Sequence, residues 1–236
     1  MRIGILQTGQ SPDVLRDQAG DYPDMFETLL AGRGLSFARY DVEHMQFPKD
    51  VHECEGWLIT GSRHGAYEDH PFIPPLEDFI RKAHEAKVPM VGVCFGHQII
   101  AQALGGKVEK FEGGWAVGPQ DYDFNGETVT LNAWHQDQVT KLPPGATPVA
   151  GNEFCAYPAL VYGDTIFTVQ PHPEFRDTFV EGLMDTRGRG VVPDDRMEAA
   201  RARLGAPGGA SSGSGRMAAR IADFFLQERA QTRPES

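Results

Sequence analysis

The chain has 236 residues, 40% of them hydrophobic, with 33 acidic against 22 basic side chains and a net charge of −11. That is enough apolar material for one sizeable core, so a single domain over 1–230 is expected, followed by a disordered tail at 231–236. The acidic balance argues against a nucleic-acid or anionic-membrane partner, each of which calls for a basic face, and no apolar stretch approaches the ~20 residues that span a bilayer.

Met1-Arg2-Ile3-Gly4-Ile5-Leu6 reads directly as a strand over Arg2 to Leu6, without the apolar region of a signal peptide, and points to a cytoplasmic protein. Cys54, Cys94 and Cys155 fit that compartment, being odd in number, widely spaced and free of C-x-x-C pairs, so neither a disulfide framework nor a zinc site is suggested. Pro23 to Ala31 has helical spacing at Met25, Phe26, Leu29 and Leu30; Ser36 to Tyr40 and Trp57 to Thr60 read as the next strands. A helix through Leu76 to Ala86 leads to an apolar strand, Pro89 to Val93, and then to a helical run, Gln98 to Leu104. This alternation predicts parallel strands covered by helices on both faces.

The pattern then changes to short strands, Ala116 to Phe124, Thr128 to Leu131, Thr147 to Ala150, Ala159 to Tyr162 and Ile166 to Val169. The turn signals between them, Asn125-Gly126, Pro143-Pro144-Gly145 and Gly163-Asp164, predict an antiparallel extension of the sheet. Asp177 to Thr186 and Asp194 to Leu204 have helical patterns, Ala206 to Gly215 reads as a mobile Gly/Ser-rich loop, and Met217, Ile221, Phe224, Phe225 and Leu226 form the stripe of a closing helix. The whole C-terminal third is expected to serve packing.

Chemistry concentrates in Gly92-Val93-Cys94-Phe95-Gly96-His97-Gln98, where a cysteine stands between two glycines as a strand gives way to a helix. A sharp strand-to-helix turn of this kind is a nucleophile elbow, and it leaves its central side chain exposed at a helix N-terminus that suits an anion. The same pattern also occurs as plain packing around a buried thiol. In Gln170-Pro171-His172-Pro173-Glu174-Phe175 a histidine is followed two residues later by a carboxylate, in a turn stiffened by two prolines. An imidazole to take a thiol proton and a carboxylate to fix its tautomer are what a cysteine nucleophile requires. Cys94, His172 and Glu174 are therefore the candidate catalytic residues.

Cys94 in Gly-x-Cys-x-Gly-x-Gln, His172-x-Glu174 further on, and Ile59-Thr60-Gly61-Ser62 upstream resemble, in order and spacing, the class I (triad) glutamine amidotransferase family of the stand-alone type. The resemblance spans roughly Ile3 to Phe179. It implies a flavodoxin-like three-layer α/β sandwich around a mostly parallel central sheet with an antiparallel extension, in agreement with the element pattern. It also implies attack of the thiolate on a γ-glutamyl amide, release of ammonia, and hydrolysis of a γ-glutamyl thioester. By resemblance the oxyanion donors are the backbone N–H groups of Gly61 and Phe95, and Gln98 matches a substrate-contacting glutamine. Trp134, His135 and Gln136 lie where relatives hold the α-amino and α-carboxylate ends of the substrate; here Trp and Gln replace small residues, and a plain strand-turn is the alternative.

The remaining histidines are weaker candidates. His97 is read as support for the elbow, and His44, His52, His64, His70 and His84 as surface or capping residues. The loop Ser62 to Phe72 is placed beside the site, with Arg63 and His64 as candidate specificity contacts. Neither a metal nor a cofactor is expected, since Cys94-x-x-His97 lacks partners at ligand spacing and the chemistry needs none. The chain has no segment to consume ammonia, so an acceptor would be a separate synthase protein. Three activities stay open: a glutamine amidohydrolase, alone or with a partner; a γ-glutamyl peptidase for γ-glutamyl peptides or glutathione-derived compounds, which the segments Cys94 to Ile100 and Thr60 to Ser62 also resemble; and an inactive regulatory or scaffold relative. A dienelactone-hydrolase-like enzyme shares the elbow, but there the carboxylate precedes its histidine.

Overall fold

The computed structural model describes residues 1–205 and 210–229. Its strands are β1 (Arg2–Gln7), β2 (Ser36–Asp41), β3 (Gly56–Ile59), β4 (Met90–Val93), β5 (Lys107–Lys110), β6 (Ala116–Phe124), β7 (Glu127–His135), β8 (Asp137–Lys141), β9 (Ala146–Ala150), β10 (Ala159–Tyr162) and β11 (Ile166–Val169). Its helices are α1 (Asp13–Ala19), α2 (Tyr22–Leu29), α3 (Ile73–Glu85), α4 (Phe95–Ala103), α5 (Asp177–Leu183), α6 (Asp194–Arg203) and α7 (Ala210–Leu226).

Seven strands form the central sheet in the order β2-β1-β3-β4-β11-β10-β9. The first five run parallel; β10 pairs antiparallel with β11, and β9 antiparallel with β10. Alternation along β1 and β3 divides the core. Ile3, Ile5 and Leu58 join Phe26, Leu30, Met217, Ile221 and Phe225 under α2 and α7. Leu6, Trp57 and Ile59 meet Leu76, Phe79, Ile80, Ile99 and Ile100 of α3 and α4 on the other face. Each of these large apolar side chains contributes roughly 1.5–3 kcal/mol by leaving water. Gly4 has a reason of its own: a Cβ there would overlap the Trp57 ring, which lies across β1 and stacks edge-on against Phe79 at 4.9 Å.

Three parts of the architecture differ from what the sequence pattern suggests. Ile166–Val169 pairs antiparallel with β10 as expected, but on its other side it runs parallel to β4, so it is also a central strand, buried along its whole length. The short connection to β10 announces the hairpin, whereas the pairing with β4 shows only in a strand covered on both faces. Ala116–Phe124 and Glu127–His135 form a two-stranded sheet of their own, turned by Asn125 and Gly126 at φ 54° and 92°, packed chiefly on α6 and α7 and bridged to the rest at Gly151 and His172. Finally, Ala210 to Gly215 is not loop but the start of α7. A Cβ at Gly213 would overlap the Thr130 carbonyl, so the glycine here serves close helix-to-strand approach rather than flexibility. The expected loop residues 206–209 and the expected disordered tail at 231–236 lie outside the described residues. α1, β5 and β8 are additional elements. Among the described residues no helix is long and apolar enough to cross a membrane.

Candidate active site

Cys94 occupies the bend between β4 and α4 with φ 52° and ψ −103°, a conformation that a non-glycine residue adopts at a cost of about 1–3 kcal/mol. The flanking glycines make the bend possible. A Cβ at Gly92 would come 2.5 Å from the Gly96 carbonyl oxygen, and one at Gly96 would overlap the Ile59 carbonyl, so α4 can cross the ends of β3 and β4 only with both side chains absent. Backbone hydrogen bonds hold the turn: the Cys94 N–H donates to Val169 O at 2.9 Å and the Gly96 N–H to Thr60 O at 3.1 Å.

The first of those bonds also explains why His172, distant in sequence, lies beside the sulfur. β4 and β11 are parallel neighbours with Val93 opposite Val169, so the residues that follow each strand emerge together at the C-terminal edge of the sheet. The His172 N–H donates to Asn132 O at 2.8 Å, and the Asn132 side-chain amide donates to Phe175 O at 3.0 Å and Asp177 Oδ1 at 2.9 Å, which pins the segment that carries the imidazole. His172 Nδ1 lies 2.7 Å from Glu174 Oε1, both side chains almost wholly enclosed. With Nδ1 engaged by Glu174, Nε2 is the ring nitrogen left for the thiol. Burial alone would lower the pKa of His172, but the charges of Cys94 and Glu174 and the hydrogen bonds to both outweigh it and raise the group to about 10.

Gly61, at the end of β3, packs against the same pair: its Cβ position would lie 2.9 Å from His172 Cε1 and 3.8 Å from Cys94 Cβ. The Thr8 hydroxyl sits 3.0 Å from Thr60 O and 3.1 Å from Gly61 O, and the Thr60 hydroxyl donates to Gly61 O at 3.0 Å, so the turn is fixed through its carbonyls. Among the described residues the N–H groups of Gly61 and Phe95 have no hydrogen-bond partner in the protein. Two unpaired donors beside a thiol and an imidazole form a place where negative charge on oxygen would be stabilised.

A cavity of about 400 Å³ opens on this group and is lined by Cys94, Gln98, Trp134, His135, Gln136 and His172 among others. All the expected substrate contacts are therefore in its wall, with different degrees of freedom. Gln98 spends its amide N–H groups on Asp137 O at 2.9 Å and Gln170 Oε1 at 3.1 Å, so that amide ties α4 to the start of β8 and to the segment that follows β11. Gln136 donates to Phe111 O at 3.3 Å, and Trp134 packs against Trp115 at 5.9 Å. Burial, then the charge of His172, lowers the pKa of His135 to about 3, which keeps that ring neutral. His97 is wholly buried, bonded through Nδ1 to Thr168 Oγ1 at 2.8 Å, and likewise lowered to about 3 by burial first; it belongs to the scaffold.

Arg63 and His64 also line the cavity. Tyr67, Asp137 and Phe175 lie in or next to segments already expected at the site, whereas Tyr22, Leu183, Arg187 and Val191 complete the wall and escape the sequence reading. The last three correct the expectation that the C-terminal third serves only packing. Arg187 donates to Gln10 O at 3.0 Å and to the Tyr22 hydroxyl at 3.4 Å, and so presents an ordered cation. The signal for it is local and weak: it lies in a π-helical turn, Met184–Gly188, a distortion frequent at functional sites.

The family model described as glutamine amidotransferase class-I matches residues 26–181. Gamma-glutamyl peptidase 4 of Arabidopsis thaliana is 33% identical over 184 residues, which is 70% of this chain and 72% of that protein. A glutamine-hydrolyzing GMP synthase subunit of Methanocaldococcus jannaschii is 35% identical over 178 residues, 70% of this chain and 89% of the other. Among solved structures, a glutamine amidotransferase from Methylobacillus flagellatus superposes with a TM-score of 0.75 at 22% identity, covering 100% of this chain and 98% of that one, a likeness of fold.

Proposed function

The chain belongs to the class-I glutamine amidotransferase family, and from that premise we propose that it hydrolyses a γ-glutamyl amide bond through a thioester on Cys94. The observation that carries this is the convergence of Cys94, His172 and Glu174 at the ends of two adjacent parallel strands, with Cys94 and His172 facing a cavity of small-molecule size and Glu174 behind the imidazole. His172 takes the thiol proton and the sulfur attacks the amide carbon. The N–H groups of Gly61 and Phe95 receive the oxyanion. His172 then returns its proton to the departing nitrogen, the C–N bond breaks, and ammonia or an amine leaves. A water molecule, deprotonated by the same imidazole, attacks the thioester; glutamate departs and the thiol is restored. Glu174 holds the ring orientation throughout.

The glutamyl end carries an α-carboxylate and an α-ammonium. Arg187 is the ordered cation for the first, and Asp137 is a carboxyl group on the wall for the second, although burial raises its pKa. With glutamine as donor the product is ammonia, and the similarity to a GMP synthase subunit supports delivery to a separate synthase protein. A second donor class, γ-glutamyl peptides, is favoured by the cavity wall itself, which extends past the sulfur to Trp115, Trp134 and Val191 and offers apolar surface to a leaving group larger than ammonia. The similarity to a gamma-glutamyl peptidase supports it too. Three buried, unpaired cysteines suit a reducing, cytoplasmic setting. Purified protein incubated separately with glutamine, γ-glutamyl dipeptides and glutathione, with ammonia, glutamate and released amine measured, separates the donors. Turnover of peptides without release from glutamine would leave only the second, and no release from any of them would remove both.

A further inference from the structure

Between β3 and α3 the chain winds through close turns, with Glu68 N–H to Gly65 O and His70 N–H to Glu68 O at 3.1 Å each, and Ile73 N–H to His70 O at 3.0 Å. These turns gather His64, Glu68 and His70, whose ligand atoms lie within 4.8 Å of one another. Glu68 Oε2 sits between the two rings, 2.7 Å from His70 Nε2 and 3.8 Å from His64 Nδ1. The opposite nitrogen of His64, Nε2, is 2.9 Å from Glu43 Oε1, on a carboxylate whose side chain is only 11% exposed. A neutral His64 that donates from Nε2 to Glu43 keeps its Nδ1 lone pair turned to the Glu68 side. His70 is steadied as well, stacked on the buried Phe72 ring at 5.9 Å and 21°.

Two imidazoles and a carboxylate, one imidazole backed by a second carboxylate, are the ligand set and the supporting shell of open divalent transition-metal sites. An ion with bonds of about 2.0–2.2 Å spaces its ligand atoms about 3.4 Å apart, so the 2.7 Å pair Glu68 Oε2 and His70 Nε2 opens around it and the wider separations, all within 4.8 Å, close. We propose that His64, Glu68 and His70 bind a divalent transition-metal ion of the Zn²⁺ type at the rim of the cavity, with Glu43 as the positioning residue for His64. His64 and Glu68 line the cavity, so the ion would stand at its mouth, with one coordination position left for water or an anionic group. The site is separate from Cys94 and His97, and it stands whether or not the γ-glutamyl assignment does.

The test is a zinc titration of the full chain by calorimetry, with Co²⁺ absorption as a second readout, in the parent and in Cys94→Ser, His70→Ala and Glu43→Gln. One site is expected in the parent, retained in Cys94→Ser and without a thiolate charge-transfer band for Co²⁺. His70→Ala should weaken binding at least tenfold while its turnover under chelator equals that of the metal-free parent, and Glu43→Gln should weaken it about 10–100-fold. No binding by the parent would overturn the proposal. Binding lost in Cys94→Ser and kept in the other two would place the ion on the thiol and overturn it equally.

Discussion

The Phe175 ring lies flat on the His172 imidazole, with centroids 3.9 Å apart and planes within 3° of parallel. Glu174 fixes the in-plane direction of the imidazole through Nδ1, and Phe175 fixes the plane itself. A general base must be held in both senses to meet a sulfur whose own position is locked by a strained bend.

Phe175→Leu keeps an apolar side chain in place and removes the flat support. The enzyme should fold, and kcat should fall on the order of tenfold to a hundredfold with KM little changed, because a base tilted by a fraction of an ångström loses reactive geometry before it loses binding. Steady-state kinetics on the active donor read this directly; an unchanged kcat would remove Phe175 from the positioning of His172.

Gly61→Ala tests the other side of the imidazole. The added methyl would arrive 2.9 Å from His172 Cε1, closer than real contacts permit, so the ring must move. A fall in kcat on the order of a hundredfold, with Tm within a few degrees of the parent, is expected. Gly96→Ala should behave differently, since its methyl meets the Ile59 backbone, which cannot swing aside. There the loss should appear as stability, about 1–3 kcal/mol by denaturant unfolding.

Arg187→Met should raise KM about tenfold or more and leave kcat within a few-fold, as expected for the loss of one charge-assisted contact to a substrate carboxylate. The same substitution should not affect a substrate analogue that lacks the carboxylate. Equal KM values for parent and variant would assign Arg187 to the support of Tyr22 and Gln10 alone.

The pKa of His172 supplies a pH prediction. The folded value is raised to about 10 from an ordinary 6.5. A raised folded-state pKa means that the charged ring stabilises the fold in full below about pH 6.5 and that this contribution is lost as pH rises through about 10. The charge of Cys94 is the first of the causes that raise it, opposed by burial. NMR titration of the His172 ring should therefore give a midpoint well above the ordinary value in the parent and a lower one in Cys94→Ala. Identical midpoints would mean that the two groups do not sense each other.

Where backbone sterics dictate residue type, the sequence is legible. Gly92, Gly96 and the prolines beside His172 are forced by a bend and a turn that few residues tolerate, and they mark Cys94, Gly61, His172 and Glu174 as residues to look for together. The β-α rhythm up to Val93 is equally plain at β1 and β4, short apolar runs followed by helices, and weaker at β2, which is half exposed and has no α-helix before β3. Legibility fails where long-range placement decides. Nothing local tells Ile166–Val169 that its inner neighbour is β4, and nothing in Arg187 announces that the chain after α5 returns to the cavity. Lys107–Lys110 and Asp137–Lys141 pair with each other although neither has strand-like alternation of apolar and polar residues. The glycine-rich stretch before Met217 resembles a linker until the Thr130 backbone against which Gly213 packs is known.

The most direct test of the proposed chemistry is covalent labelling with diazo-oxo-norleucine, a glutamine mimic that alkylates a nucleophile poised at the γ-carbon. Intact-mass analysis followed by peptide mapping should show one adduct, on Cys94, suppressed by excess donor and absent from Cys94→Ala, with Cys54 and Cys155 unmodified. A protein that stays unlabelled, or that is labelled only at Cys54 or Cys155, would contradict the assignment of Cys94 as nucleophile.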